Sequence, residues 1–268
     1  MSILVVQILP QGIIFGADRN VTETSTDVIT GGTTTIKHIY GQSQRPKVLR
    51  WPNNKALVGY VGAAEIAGRP TDEWLYDFIG WNIYPNSLQE LAFTLRDEVE
   101  NRRKIDEGSS EAEPLIIHLG GFEKRGKYWV PEIWFIRNVY KLIDGEYDDF
   151  RKEYQCSEEL WKPEYFGYTT PENIRSELKR IAEAFEPFWF HQGFGLRTFN
   201  VLEAYMRDGF KYLVNYHPGH SYPATLKEFE RHLKMSILIY ESYFQAFKGP
   251  AEQYVGGGVD TVKIDWPL

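Results

Sequence analysis

The apolar and polar positions of the chain fall into segments of two periods. Ser2 to Leu9 (Ser-Ile-Leu-Val-Val-Gln-Ile-Leu) and Ile13 to Ala17 are short apolar runs separated by the turn-forming Pro10-Gln11-Gly12. Two such runs across a tight turn predict an antiparallel hairpin, which returns Asp18 beside Ser2. After this hairpin, Asn20 to Gln44 is polar, rich in Thr, Ser and Gly, and without sustained period; it reads as a long loop or an extended hairpin.

Helical spacing follows. Ile66, Trp74, Leu75, Phe78 and Ile79 are interrupted by Gly68-Arg69-Pro70, and Thr71-Asp72-Glu73 starts a fresh helix after the break. Ser87 caps a clearer one, with Leu88, Leu91, Ala92, Leu95 and Val99 at three-to-four spacing. Lys104 to Glu113 is a charged linker. Pro114 to Phe122 and Tyr128 to Ile136 flank Glu123-Lys124-Arg125-Gly126-Lys127, a strong hairpin signal. The acidic stretch from Tyr140 to Trp161 reads as a solvated connection. Pro171-Glu172 opens a helix through Ile174, Leu178, Ile181, Ala182 and Phe185, with Thr170 as its cap. Leu226 to Phe247 is the longest helical stripe, stopped by Gly249-Pro250, and Gly256-Gly257-Gly258 introduces an alternating strand from Val259 to Asp265.

Strands, two helices, strands, further helices and a final strand predict an α+β fold. The chain shows no internal repeat, so residues 1–268 are expected to form one domain. Glu186 to Thr225 reads as a helical insertion that caps a site or widens an interface. It holds the aromatic, Gly-broken Phe188 to Gly195, a helix over Leu196 to Arg207, and a turn from Tyr216 to Pro223.

Composition narrows the function classes. A net charge of −7 with scattered Lys and Arg predicts no nucleic-acid surface. Apolar runs are too short for a membrane span, and the amino-terminal stretch lacks a basic start and a signal-peptidase boundary, so a cytoplasmic location is expected. The single cysteine, Cys156, cannot make an internal disulfide, which fits a reducing compartment. The 17 Tyr, 16 Phe and 8 Trp read equally as an aromatic core or as subunit faces. His118, inside an apolar strand, reads as a core histidine. His217 and His220 flank Pro-Gly without a third ligand, so no metal or other cofactor is expected.

The candidate chemistry lies at the start of the chain. Removal of Met1 makes Ser2 a terminal residue with a hydroxyl and a free amine, a nucleophile that carries its own base. An α-amine titrates near ~8. A neighbouring lysine ammonium lowers that value, and a carboxylate holds the lysine charged and oriented. Asp18 and Lys47 are the candidates, with Lys37 as the fallback for Lys47.

Gly12-Ile13-Ile14-Phe15-Gly16-Ala17-Asp18, its spacing from Ser2, and Lys47 to Trp51 followed by Ala56 to Glu65 together resemble the proteasome β-type subunits and their bacterial proteasome-like relatives among the N-terminal-nucleophile hydrolases. The resemblance implies a four-layer α-β-β-α sandwich and a peptidase acting through an acyl-enzyme on Ser2. Asp18 and Lys47 would be the charge pair behind the nucleophile, and the Gly62 amide an oxyanion-hole donor. It also implies a peptide or protein substrate and self-association into a ring or stacked oligomer. The chain departs from the family pattern in carrying Ser2 for Thr, and Tyr168, Glu252 and Val255 at supporting positions. A catalytically inactive structural or regulatory subunit is therefore the alternative, and a non-peptide amide hydrolase a third reading. Thr33, in Gly31-Gly32-Thr33, imitates a processing junction. Cleavage there would discard the strands of Ser2 and Asp18, which makes Thr33 the lesser candidate.

Overall fold

A computed structural model describes residues 3–29, 33–43, 45–52, 56–81, 86–105, 114–143, 146–157, 171–184, 188–193, 196–247 and 256–268. In chain order the first elements are β1 (Ile3–Leu9), β2 (Gly12–Asp18), β3 (Asn20–Ile29), β4 (Thr33–Gln42), β5 (Val48–Arg50) and β6 (Ala56–Gly62). The short β7 (Glu65–Ile66) and β8 (Arg69–Pro70) precede α1 (Thr71–Trp81) and α2 (Leu88–Ile105). Then come β9 (Leu115–Arg125), β10 (Tyr128–Ile143), β11 (Glu146–Ser157), α3 (Pro171–Glu183), β12 (Phe188–Gly193), α4 (Leu196–Tyr216), α5 (Leu226–Phe247) and β13 (Val259–Asp265). The fold is mixed α+β.

Two antiparallel sheets carry it, one in the order β12-β1-β2-β13 and the other β11-β10-β9-β6-β5. Strand alternation sends successive side chains to opposite faces, and three apolar clusters result. Leu4, Val6, Ile8, Ile13 and Phe15 of the first sheet share one cluster with Val48, Leu57, Val61, Ile116 and Phe135 of the second. Ile3, Val5, Leu9 and Ile14 turn the other way, onto Phe229, Leu233, Ile237 and Tyr240 of α5. On the far side of the second sheet, Val58, Tyr60, Ile117 and Leu119 pack with Trp74 and Phe78 of α1 and Leu91, Leu95 and Val99 of α2.

The hairpin and helix starts follow from local chemistry. The β1–β2 pair turns at Pro10-Gln11 with Leu4 opposite Ala17. Ser87 Oγ accepts the Glu90 amide at 3.1 Å, capping α2. Asn20 to Gln42 is the extended hairpin of the two expectations, β3 against β4 with Asn20 opposite Gln42.

Two expectations are corrected. The acidic stretch after Tyr140 is a strand rather than a solvated connection: β11 pairs with β10 and closes one edge of the sheet. Charged residues are how an exposed edge strand avoids pairing with another chain, so acidic composition here marks an edge. The segment 186–225 is not purely helical either. Phe188–Gly193 is a strand that covers the open edge of β1, with Ile3 opposite Gly193 and Gln7 opposite Trp189. Aromatic residues suit a strand, but the partner lies far away in sequence.

No helix among the described residues is long and apolar enough to cross a membrane.

Candidate functional site

Strand polarity brings several chain segments to one end of the two sheets. There β1 begins, β2 ends at Asp18, and β13 begins with Val259 opposite Asp18. From the second sheet β5 begins just after Lys47, and Tyr60 on β6 donates its amide to the Lys47 carbonyl at 3.3 Å.

Asp18 is fully buried and closely held. Its Oδ1 accepts the Ile3 amide at 2.9 Å and its Oδ2 the Gly256 amide at 3.0 Å. Lys47 Nζ lies 3.6 Å from Asp18 Oδ1, with side-chain exposures of 1% and 0% for the lysine and the acid. The ammonium also donates to the Asn20 carbonyl. Burial pushes the Asp18 carboxyl up and the Lys47 ammonium down, and each charge opposes the shift of the other.

The glycine loop completes this end. Arg19 donates its amide to the Gly256 and Gly258 carbonyls at 3.0 and 3.1 Å, and Asn20 donates to Gly256 at 2.9 Å. Gly257, at φ +77°, occupies the left-handed region that glycine enters without steric cost. Its amide and that of Gly258 face Glu241 of α5. The Arg19 guanidinium grips Asp260 through two contacts of 2.6 Å, tying the loop to β13.

Of the expected site residues, Asp18 and Lys47 meet. Gly62 ends β6, two residues past Tyr60 and therefore roughly 7 Å along the strand from the residue facing Lys47. Ser2, Tyr168, Glu252 and Val255 lie outside the described residues, as do the side chains of Thr33 and Lys37. His118 is fully buried, edge-on to Phe135 with ring centroids 4.5 Å apart. His217 and His220 are exposed with rings 6.2 Å apart, and the described residues hold no group of three or more metal-ligating side chains.

Sequence reading missed Glu241. It is buried beside the loop, accepts a hydrogen bond from Gln245 at 3.1 Å, and burial together with Asp18 pushes its carboxyl up. Its signal was present: Glu241 stands four residues after Ile237, on the apolar stripe of α5. A carboxylate on the buried face of a helix needs partners, and here they are backbone amides.

No family model matches the chain, and no curated protein does. Among solved structures, it is similar to Anbu (ancestral beta-subunit) from Yersinia bercovieri, at 12% identity over 99% of this chain and 82% of that one, with a TM-score of 0.44. It is also similar to a Gly-1 mutant of Anbu from Hyphomicrobium sp. strain MC1, at 14% identity over 99% and 82%, with a TM-score of 0.46. These findings overturn the expected membership of the proteasome β-type family and its bacterial relatives: no family model holds the chain, and the similar structures are Anbu proteins. The reason is physical. A glycine after a turn and a continuous apolar run are what a central strand buried on both faces requires, so most of the Gly12-to-Asp18 motif identifies a strand and not a family.

Proposed function

We propose that this chain is an N-terminal-nucleophile amidohydrolase acting on peptide bonds. The observation that carries the reading is the shared oxygen, Asp18 Oδ1, which binds the Ile3 amide and faces Lys47 Nζ at 3.6 Å. Ile3 is bonded to Ser2, so the ion pair is anchored one peptide unit from the candidate nucleophile.

Once Met1 is removed, the Ser2 amine takes the hydroxyl proton as Oγ attacks the substrate carbonyl. Lys47 favours the neutral amine by charge repulsion, and Asp18 keeps Lys47 in place. Backbone amides near Gly62 stabilise the oxyanion. The carbon–nitrogen bond then breaks, the leaving amine takes the proton held by the Ser2 amine, and water hydrolyses the acyl ester. The reading includes a four-layer α-β-β-α sandwich over 1–268, with 186–225 inserted, a cytoplasmic location, and self-association. The facing sheets with helices against their outer faces support the layering.

A second reading, a non-catalytic subunit, is favoured by the closure of the same network. Both Asp18 oxygens accept backbone amides and Lys47 is held by the Asn20 carbonyl, an arrangement that also serves simply to clamp two sheets.

Intact mass and covalent labelling separate the two. The enzyme reading expects protein lacking Met1 that forms an adduct with a β-lactone probe at Ser2, lost in Ser2→Ala and Lys47→Met. Retained Met1, or processed protein that neither labels nor cleaves a broad peptide library, overturns it.

A further inference from the structure

Helix α4 presents an apolar stripe that nothing else in the described structure covers. Val201, Tyr205, Tyr212 and Tyr216 are 50%, 73%, 58% and 69% exposed. At 3.6 residues per turn they fall within an arc of about 60°. Scattered exposed apolar residues are ordinary, whereas a contiguous aromatic stripe marks an interaction surface.

The spacing of the stripe selects its occupant. Val201 and Tyr216 are equidistant from a point between Asp208 and Gly209, and so are Tyr205 and Tyr212. Laid antiparallel on a copy of itself about that point, the helix sets Val201 against Tyr216 and Tyr205 against Tyr212, and it brings Gly209 beside its own copy on one flank of the seam, with Asp208 exposed on the other. That is the self-complementarity an isologous two-fold contact demands, each residue meeting a partner that meets it in return. The centre is also open: a Cβ at Gly209 would have no atom within 4 Å, which leaves room for close approach of the opposing helix.

We infer that α4 is the two-fold docking surface through which a second copy of this chain associates. The area is consistent with it. A tyrosine buries roughly 150–250 Å² when covered, so the three tyrosines with Val201 and the exposed Leu213 supply on the order of 500 Å². That is more than half of the ~800 Å² per partner of a standard interface. Aromatic residues are also the type enriched at such contacts. The surface is remote in sequence from Ser2, Asp18 and Lys47; the inference rests on the self-association of the proposed reading and is independent of its chemistry.

Sedimentation velocity of the full chain and of Tyr205→Lys/Tyr212→Lys tests it. Both positions are exposed and lysine is a good helix former, so the variant keeps its fold, which circular dichroism verifies. The expected result is an assembly in the parent chain and a complex of half its mass, or a dissociation constant raised at least tenfold, in the variant. In parallel, Gly209→Cys is expected to give a disulfide-linked dimer under mild oxidation, while Cys156, its thiol pushed up to about 11 by burial, stays unreacted. A monomeric parent chain, or a variant that sediments like the parent with no Gly209→Cys dimer, overturns the inference. Ser2→Ala is expected to assemble normally, so loss of chemistry and loss of docking are read separately.

Discussion

Lys47 and Asp18 face one another at 3.6 Å from different sheets, the acid at the end of β2 and the base just before β5, both sealed from solvent. The pair therefore joins the two sheets at the end where the chain starts. Removing one partner strands the other as a buried charge, at a cost of about 3–5 kcal/mol. Urea unfolding of Lys47→Met and Asp18→Asn is expected to show destabilisation of that order for Lys47→Met. The double variant is expected to be more stable than the sum of the single losses predicts. Strict additivity of the two changes would show that the groups do not interact.

Gly62 separates two kinds of glycine requirement. Its φ is +106°, and a Cβ there would sit 2.0 Å from the Pro114 carbonyl oxygen. Gly126, in the β9–β10 turn, has φ +63° but open space around its Cβ position. Alanine at Gly126 pays for the left-handed backbone alone, roughly 1–2 kcal/mol. Gly62→Ala adds a collision with backbone that cannot move without breaking the β6–β9 ladder. It is expected to cost at least ~3 kcal/mol. Denaturant midpoints of the two variants check this, and equal losses would remove close approach as the cause.

How much of this was legible in the sequence depends on distance along the chain. The β1–β2 hairpin, the Ser87 cap and the stop of α5 before Gly249-Pro250 are local, and turn chemistry announces them. Lys47 was placed by its strand context, and it meets Asp18 because β5 and β2 lie on facing sheets. β12 escaped notice because its strand partner, β1, lies more than half the chain away in sequence. β11 did so because its charges imitate a loop. Glu241 needed the loop at Gly256 to give a buried acid a purpose. The family resemblance failed for a related reason: a short motif dictated by strand and turn physics recurs wherever those requirements recur.

Gln7 is fully buried on β1, between Val5 and Leu9 on the face that packs against α5, and among the described residues neither its amide nitrogen nor its carbonyl oxygen has a hydrogen-bond partner. An amide buried without partners costs roughly 1–3 kcal/mol. Gln7→Met conserves length and removes the polar atoms, so it is expected to stabilise the fold by about 1–2 kcal/mol. Thermal unfolding is the measurement. A lower melting temperature would mean that ordered water satisfies the amide.

His232 makes stability depend on pH. It is buried on α5 with its ring 5.1 Å from Phe210 of α4, and burial pulls its imidazole down to about 4. In the unfolded chain the ring titrates near ~6.5. Between those values the unfolded state binds the proton that the folded state refuses, so stability rises with pH and is lost as pH falls from 6.5 toward 4. At about pH 5 the loss from this one group is roughly 2 kcal/mol relative to neutral pH. His232→Phe keeps an aromatic ring against Phe210 and has nothing to protonate. Comparing urea unfolding of both proteins at about pH 7.5 and pH 5 cancels the contribution of every carboxylate they share, by the same linkage. The substitution is expected to abolish roughly 2 kcal/mol of acid sensitivity. Identical pH slopes would mean that His232 titrates alike in the folded and unfolded chain, and the α4–α5 contact would then be insensitive to acid.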